Sequence, residues 1–431
     1  MILRTELRRS TAPVAGVGFL VVSLGLIYGL SGPWHKGTAA WNEQWTGLAQ
    51  WTRYLTLFLW PLVLRTGAWQ GLRDHRSRVS ELFATSPRPA WRRVLPTAAA
   101  LALALTAGYV ALLVVGGVQV VGTASYFTLN WLPIAGVMVL ALTATALLGA
   151  GIGRLLPSLV TPPVLAVAAL AGQIAALQSG WALLTPALVE VHITVFTTVS
   201  TTVTLTQALW FTGIGVTGFG LFAATRARTR LLSLLPMALA AAVAVPTLSG
   251  VDDPTVPDPG AQALVCDRHG PRVCVTRAHA DFLPTLTGPA REALALLEKL
   301  PSPPTSVVEM ASVVPVRSAP HEIAVYLDAR TPPGSEELTM AILADSSGPG
   351  CGSPDWDLQR RIAAARIIST SWLTGELKPP PGYRFEWEDA HDEIERGWRA
   401  LTALPADEQP ARAARLRQAA LDCQDIDLVT S

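Results

Sequence analysis

The chain has 431 residues, of which 50% are hydrophobic and 15% charged, and its mean hydropathy of +0.36 excludes an ordinary soluble protein. Its formal net charge of +1 conceals a basic first part and an acidic second part: residues 1–251 carry 16 basic against 5 acidic side chains, and residues 252–431 carry 17 against 27. None of the three lysines follows a glycine, which excludes a P-loop nucleotide site, and the charge balance does not indicate a nucleic-acid partner.

Apolar windows of roughly 17 to 25 residues can cross a hydrocarbon core of about 30 Å. The sequence contains about seven of them, at 13–30, 48–64, 95–121, 131–151, 159–177, 205–224 and 231–248. The second is short and contains Arg53, which we expect to extend from its outer end to the lipid headgroups. We therefore predict an α-helical polytopic membrane protein with a transmembrane domain over 1–248. Glu190 is the only carboxylate between Glu81 and Asp252, which argues against a proton-coupled carrier.

The distribution of arginine predicts the orientation, because positively charged loops stay cytoplasmic. Fourteen arginines flank one set of helix ends, whereas the loops at the other ends carry only Lys36. We expect a cytoplasmic N-terminus in the plasma membrane and, after an odd number of spans, an extracytoplasmic C-terminal domain. The tryptophans expected at the outer boundary are Trp34, Trp41, Trp45, Trp51, Trp131 and Trp181. The alternative is that the first apolar segment is a cleaved signal peptide, which would leave six spans.

The longest inner loop predicts a helix over about 68–86, which Pro87 and Pro89 end. Val79, Leu82 and Phe83 are spaced i, i+3 and i+4, so they form a compact apolar knob on a helix otherwise covered by charged side chains. Such a knob suits insertion into a groove on another protein. The residues equally fit a helix lying in the plane of anionic lipids.

A family resemblance favours the first of these two interpretations. The run Trp60-Pro61-Leu62, then Arg73-Asp74-His75-Arg76, then 81–89 (Glu-Leu-Phe-Ala-Thr-Ser-Pro-Arg-Pro) and Trp91-Arg92-Arg93 resembles the segment between the second and third helices of ABC-2 type exporter permeases, particularly actinobacterial ones. In that family the loop is a coupling helix that docks on the ATP-binding subunit. The resemblance covers about 1–225, and the seventh span and the outer domain depart from the family's six-span pattern.

The resemblance implies a non-catalytic permease subunit of an ATP-driven ABC exporter. The contacts with the ATP-binding subunit would be Arg76, Val79, Glu81, Leu82 and Phe83. That subunit would bind ATP and Mg, and this chain would need no cofactor or metal. A second permease subunit, identical or different, would complete the transporter within the membrane lipids.

The polar residues of the apolar segments are candidates for a substrate path, namely Gln119, Asn130, Gln173, Gln178, Glu190 and His192. A mostly apolar path of this kind suits a lipid-like, peptide or antibiotic cargo. The alternatives are that the amides form hydrogen bonds between helices and that Glu190 and His192 belong to a solvated loop.

Residues 249–262 have the Pro, Asp and Gly content of a short linker, and 263–431 predict an α+β domain. Its expected strands are 263–266, 272–276, 305–315 and 322–327, and its expected helices 289–299, 336–344, 356–373, 387–401 and 406–421. No zinc-protease or serine-hydrolase motif occurs in it. This leaves two other functional hypotheses: a membrane-anchored receptor or assembly protein whose outer domain binds a ligand or cell-envelope partner, and a membrane enzyme.

All four cysteines, Cys266, Cys274, Cys351 and Cys423, follow the last span, in the part expected to lie outside. An oxidising environment there allows disulfides to persist. We prefer the pair Cys266–Cys274, because two short strands flank the turn between them, and this leaves Cys351 with Cys423. Four cysteines permit three pairings, and a zinc site that includes His269 and His279 is the rival interpretation.

Overall fold

The computed structural model describes residues 5–7, 10–35, 40–76, 89–189, 193–311, 321–327, 334–345 and 355–429. It divides the chain into two compact units, 1–258 and 259–431. The boundary falls inside the predicted linker 249–262, of which Thr255–Pro257 is a strand of the first unit and Pro259–Gln262 a short helix of the second.

The first unit is a bundle of helices. In chain order the described helices are α1 (Ala12–Gly29), α2 (Trp45–Tyr54), α3 (Thr56–Gly71), α4 (Arg73–Arg76), α5 (Ala90–Thr123), α6 (Trp131–Leu155), α7 (Thr161–Gln178), α8 (Thr201–Ala223), α9 (Ala227–Leu232) and α10 (Leu235–Leu248). A small antiparallel ribbon pairs β1 (Thr197–Val199) with β2 (Thr255–Pro257). Six of the described helical segments are long and apolar enough to cross a membrane, which identifies a polytopic helical membrane protein. They are α1, α5, α6, α7, α8 and the segment Ala227–Leu248, which contains α9 and α10.

The predicted second span is the one that the structure divides. Residues 48–64 fall on α2 and α3, which are separated at Leu55 and are 10 and 16 residues long, so neither reaches spanning length alone. Leu55, between the two helices, keeps right-handed helical dihedral angles (φ −63°, ψ −16°). Pro61 lies inside α3, where its missing N–H removes one helical hydrogen bond.

Small residues set the distance between α3 and α6. Gly67 and Gly71 on α3 lie against the backbone carbonyls of Ala146 and Ala150, and a Cβ at either glycine would overlap those oxygens. In return, a Cβ at Gly149 would overlap the carbonyl oxygen of Leu64. Lipid provides no hydrophobic driving force between helices, so close backbone approach and van der Waals contact must supply the attraction.

The second unit is α+β, as the sequence predicts. Its four-stranded sheet has the order β3 (Leu264–Cys266), β4 (Arg272–Thr276), β5 (Ser306–Glu309) and β6 (Glu322–Val325), with β3 antiparallel to β4 and the other pairs parallel. The helices are α11 (Pro259–Gln262), α12 (Leu283–Leu297), α13 (Ser335–Leu343), α14 (Trp356–Thr374), α15 (Arg384–Asp389), α16 (His391–Thr402) and α17 (Gln409–Leu421). The predicted helix 387–401 is divided at Ala390.

A continuous apolar core holds this unit together. Val273, Val307 and Ile323 from three neighbouring strands are buried against Leu286 and Ile367 from α12 and α14. Cys266 and Cys274, which face each other in the β3–β4 register, form a disulfide, as expected. Cys423 is also disulfide-bonded. Cys351 lies outside the described residues, so its pairing stays a prediction.

The packing of α3 on α6 gives a test on a single helix. Gly149→Leu should lower the thermal unfolding midpoint of the full chain in detergent, because the new side chain must push α3 away at a cost of about 1–3 kcal/mol. Gly136→Leu on the same helix is the control, since a Cβ there meets no atom within 4 Å. Equal midpoints for the two variants would contradict glycine-mediated packing.

Candidate functional site: a buried arginine in the membrane unit

Four of the six predicted path residues are described, and they differ in exposure and in hydrogen-bond partners. Gln119 and Gln178 are exposed, and Asn130, also exposed, donates through Nδ2 to Asp258 Oδ2 at 3.0 Å. Gln173 is completely buried, and both polar atoms of its amide lack a hydrogen-bond partner in the described part of the chain. Glu190 and His192 lie outside the described residues.

The structure instead directs attention to Arg53, whose predicted extension to the headgroups is wrong. Its side chain has 0% exposure within the first unit. The Nη2 group donates to Gln207 Oε1 at 2.9 Å and to the carbonyl oxygen of Pro186 at 3.2 Å, and Nε donates to the same carbonyl at 3.4 Å. A buried guanidinium requires such acceptors, because they replace the hydrogen bonds with water that the charged group loses on burial.

Gln207 extends this network to the segment that precedes β1. Its Nε2 donates to the carbonyl oxygen of Leu183 at 2.8 Å, and one helical turn later Trp210 Nε1 donates to that of Leu184, also at 2.8 Å. The carbonyls belong to a short 3₁₀ turn, Ala182–Leu184, and the residues after it. Side chains of α2 and α8 therefore fix an irregular segment whose own backbone groups would otherwise lack partners.

Helix α2 is polar and buried along its length. Eight of its ten residues are buried, among them Gln50 and Thr52, and the preceding Gln44 is buried as well. Within the described residues, both amide atoms of Gln44 and of Gln50 and the Nη1 atom of Arg53 have no hydrogen-bond partner. Most buried polar atoms in proteins are satisfied, so the concentration of such groups on one short helix indicates a site for a polar ligand or for water.

Aromatic side chains surround this helix. Trp51 packs edge-on against Trp34 and Tyr54, with ring centroids 6.1 and 5.2 Å apart, and Trp45 stacks on Trp131 at 5.6 Å. Trp34, Trp41 and Trp51 are at most 6% exposed, so these three rings pack inside the unit. Trp181 is 52% exposed and keeps the accessibility expected of a boundary residue.

A separate apolar cavity of about 200 Å³ lies between α1, α3 and α5. Its lining residues include Gly18, Phe19, Leu59, Val63 and Leu101. The hydroxyl of Thr66, which also lines it, donates to the carbonyl oxygen of Leu62 at 2.7 Å. The cavity therefore offers mainly van der Waals contact, which suits an alkyl chain.

The approach to the predicted coupling helix is held in place. Arg73 on α4 forms an ion pair of 2.7 Å with Glu6, Thr11 Oγ1 donates to Gln70 Oε1 at 2.5 Å, and the Arg76 guanidinium lies 4.4 Å from the centre of the Trp69 ring. Of the five predicted ATPase contacts only Arg76 is among the described residues, and it is exposed. Val79, Glu81, Leu82 and Phe83 lie outside them.

In the second unit, a buried carboxylate joins the ends of two parallel strands. Glu309, at the end of β5, has a side chain with 0% exposure and accepts hydrogen bonds from His279 Nδ1 and, at 2.6 Å, from the N–H of Thr276 at the end of β4. Carboxyl ends of parallel strands are common binding positions. The Cys266–Cys274 disulfide leaves neither of these two thiols free to bind zinc in the alternative that includes His279.

Charged side chains also organise the helical layer of this unit. Burial lowers the pKa of Arg417, a shift that Asp345 opposes, and Arg417 Nη1 donates to the carbonyl oxygen of Leu343 at 2.6 Å. The hydrogen bond from Arg361 Nε, at 2.6 Å, is the largest cause of the lowered pKa of Asp425. Arg417 and Arg361 thus each have a defined hydrogen-bond partner. The described residues contain no group of three or more His, Cys, Asp or Glu side chains placed to hold a metal ion.

The role of Gln207 in the arginine network can be tested directly. Gln207→Leu should lower the thermal unfolding midpoint of the full chain, because it removes an acceptor from a buried charge at a cost of about 1–3 kcal/mol. Gln119→Leu makes the same chemical change at an exposed position and should leave the midpoint within a degree or so. A midpoint for Gln207→Leu as high as that of the control would contradict the network.

Comparison with known proteins identified no relative. The chain has no matching family model, and no significant match was found among curated proteins or among solved structures.

Proposed function

We propose that the chain is the transmembrane permease subunit of an ATP-driven exporter of the ABC class. ATP and Mg would bind a separate subunit, and a second permease subunit, identical or different, would complete the transporter. The orientation proposed is an N-terminus in the cytoplasm of a plasma membrane, with the C-terminal α+β unit on the extracytoplasmic side.

The observation that carries the proposal is the pair of side-chain contacts that hold the chain in place just before the loop after α4. The ion pair Arg73–Glu6 and the hydrogen bond Thr11–Gln70 tie the end of α3 to the chain segment before α1. A loop that receives force from an ATPase needs such an anchor, because a loose connection would absorb the motion rather than transmit it to the spans. Arg76 is exposed at the end of α4, directly before the residues of the proposed contact surface.

In this proposal the pair α2–α3 counts as one span, in addition to the six long apolar segments. From Trp45 to Gly71 the two helices and Leu55 between them cover 27 residues. At 1.5 Å per residue this is about 40 Å, longer than a hydrocarbon core of about 30 Å. Counting the pair as one span gives an odd total, which supports the proposal that the two ends of the transmembrane domain lie on opposite sides of the membrane.

The cargo proposed is amphiphilic: lipid-like, or a peptide or antibiotic with an apolar part. The cavity between α1, α3 and α5 supports an alkyl component, and the buried polar groups of α2 support a polar component. The spans are mostly apolar, and Arg53 is the one charged side chain that is buried within the described helices of the first unit, so a path for small inorganic ions is a poorer fit.

Copurification with candidate ATP-binding subunits tests this function. The full chain co-expressed with such a subunit should retain it through detergent extraction and support ATP hydrolysis. The double variant Leu82→Asp plus Phe83→Asp should lose most of the bound subunit, because charges cannot enter an apolar groove without a large desolvation cost.

A matched control uses another loop expected on the same face. Leu156→Asp plus Leu159→Asp introduces the same charges at residues that are 59% and 63% exposed, and it should retain the ATPase. Failure of any ATPase to bind the wild-type chain would contradict the proposal and favour a receptor or assembly role for the second unit.

A further inference from the structure

The guanidinium of Arg53 has hydrogen-bonding capacity that the described protein does not use. It carries five N–H donors, and the contacts to Pro186 and Gln207 use Nε and Nη2. Nη1 is buried and has no hydrogen-bond partner in the described chain. No carboxylate of the described residues forms an ion pair with Arg53, so its charge is buried without a negative partner there.

A second side chain with unused hydrogen-bonding capacity belongs to the same helix. Gln50 precedes Arg53 by three residues on α2, a spacing that places both on one side of the helix. Its side chain has 0% exposure, and neither Oε1 nor Nε2 has a hydrogen-bond partner among the described residues. Two fully buried polar groups on one side of α2 thus lack hydrogen-bond partners that a fold ordinarily provides.

The chemistry of these groups selects the missing partner. Arg53 is a permanent cation, and a planar guanidinium matches the paired oxygens of a carboxylate or phosphate. The Gln50 Nε2 can donate to the same anion. A purely structural role, in which Arg53 only holds α2 to Gln207 and to the Pro186 carbonyl, would use Nε and Nη2. It does not account for Nη1 or for Gln50.

The surroundings indicate what carries the anionic group. The neighbouring Ala49 belongs to an apolar cluster with Leu183, Leu188 and Val203, and Trp51 and Leu55 are buried in another. A small hydrated anion would have to give up its water in this environment, whereas an amphiphile can keep its apolar part in contact with it.

We propose that Arg53 and Gln50 bind the carboxylate or phosphate of an amphiphilic molecule within the membrane unit. This inference rests on the proposed export function in identifying that molecule as cargo. The binding itself requires only this chain.

The test uses the full chain in dodecyl maltoside, with dodecyl phosphate and laurate as probes and dodecanol as the uncharged control. Both anions should raise the thermal unfolding midpoint, and dodecanol should not. Gln50→Glu places a carboxylate beside Arg53, so it should raise the midpoint without any probe and weaken the apparent affinity for both anions on the order of ten-fold or more. Arg154→Gln, which removes an arginine from the end of α6, should bind like the wild type.

Several outcomes would overturn the inference. Equal shifts with dodecanol and dodecyl phosphate would show that only the alkyl chain binds, and an equal shift with inorganic phosphate would remove the requirement for an apolar carrier. A lower midpoint in Gln50→Glu, together with full anion binding, would mean that Arg53 already has a negative partner within the protein. Loss of ATPase copurification with intact anion binding would reject the export function alone, and the reverse would reject the anion site alone.

Discussion

A permanent positive charge buried inside a helical membrane bundle is the constraint on which the first unit depends. The Arg53 guanidinium has no exposed surface, so protein atoms must replace the hydrogen bonds of water. Gln207 and the Pro186 carbonyl do so, which brings together three segments that are far apart in sequence. The polar character of α2 follows from this arrangement, since a fully apolar helix could not accommodate the charge.

The remaining helices can surround such a site because their own contacts are made by small residues. Gly67 and Gly71 on α3 allow α6 to approach until backbone touches backbone, and α3 begins one residue after α2 ends. The position of Arg53 is therefore fixed from two directions: by side-chain hydrogen bonds toward α8 and by close packing toward α6. This rigidity is what a binding group needs if it is to distinguish an anion from an uncharged molecule.

The sequence predicts the membrane class and the α+β unit well, because uninterrupted apolar windows and alternating elements are local signals. The Cys266–Cys274 pair was predictable for the same reason, since only eight positions separate its members. The environment of Arg53 was not. Its partners lie 133 and 154 residues away in the sequence. One of them is a backbone carbonyl, and every residue type has one, so the sequence does not indicate which carbonyl accepts the hydrogen bond. An arginine in a short apolar segment fits a snorkelling side chain and a buried one equally well until the packing is known.

The proposed export function requires that force from an ATPase enter this chain through the loop after α4. Site-specific photocrosslinking from position 82 in native membranes measures that contact most directly. We expect one principal crosslinked product containing an ATP-binding protein, with a yield that changes when ATP is added. Crosslinks to lipid alone, or a yield indifferent to ATP, would contradict it.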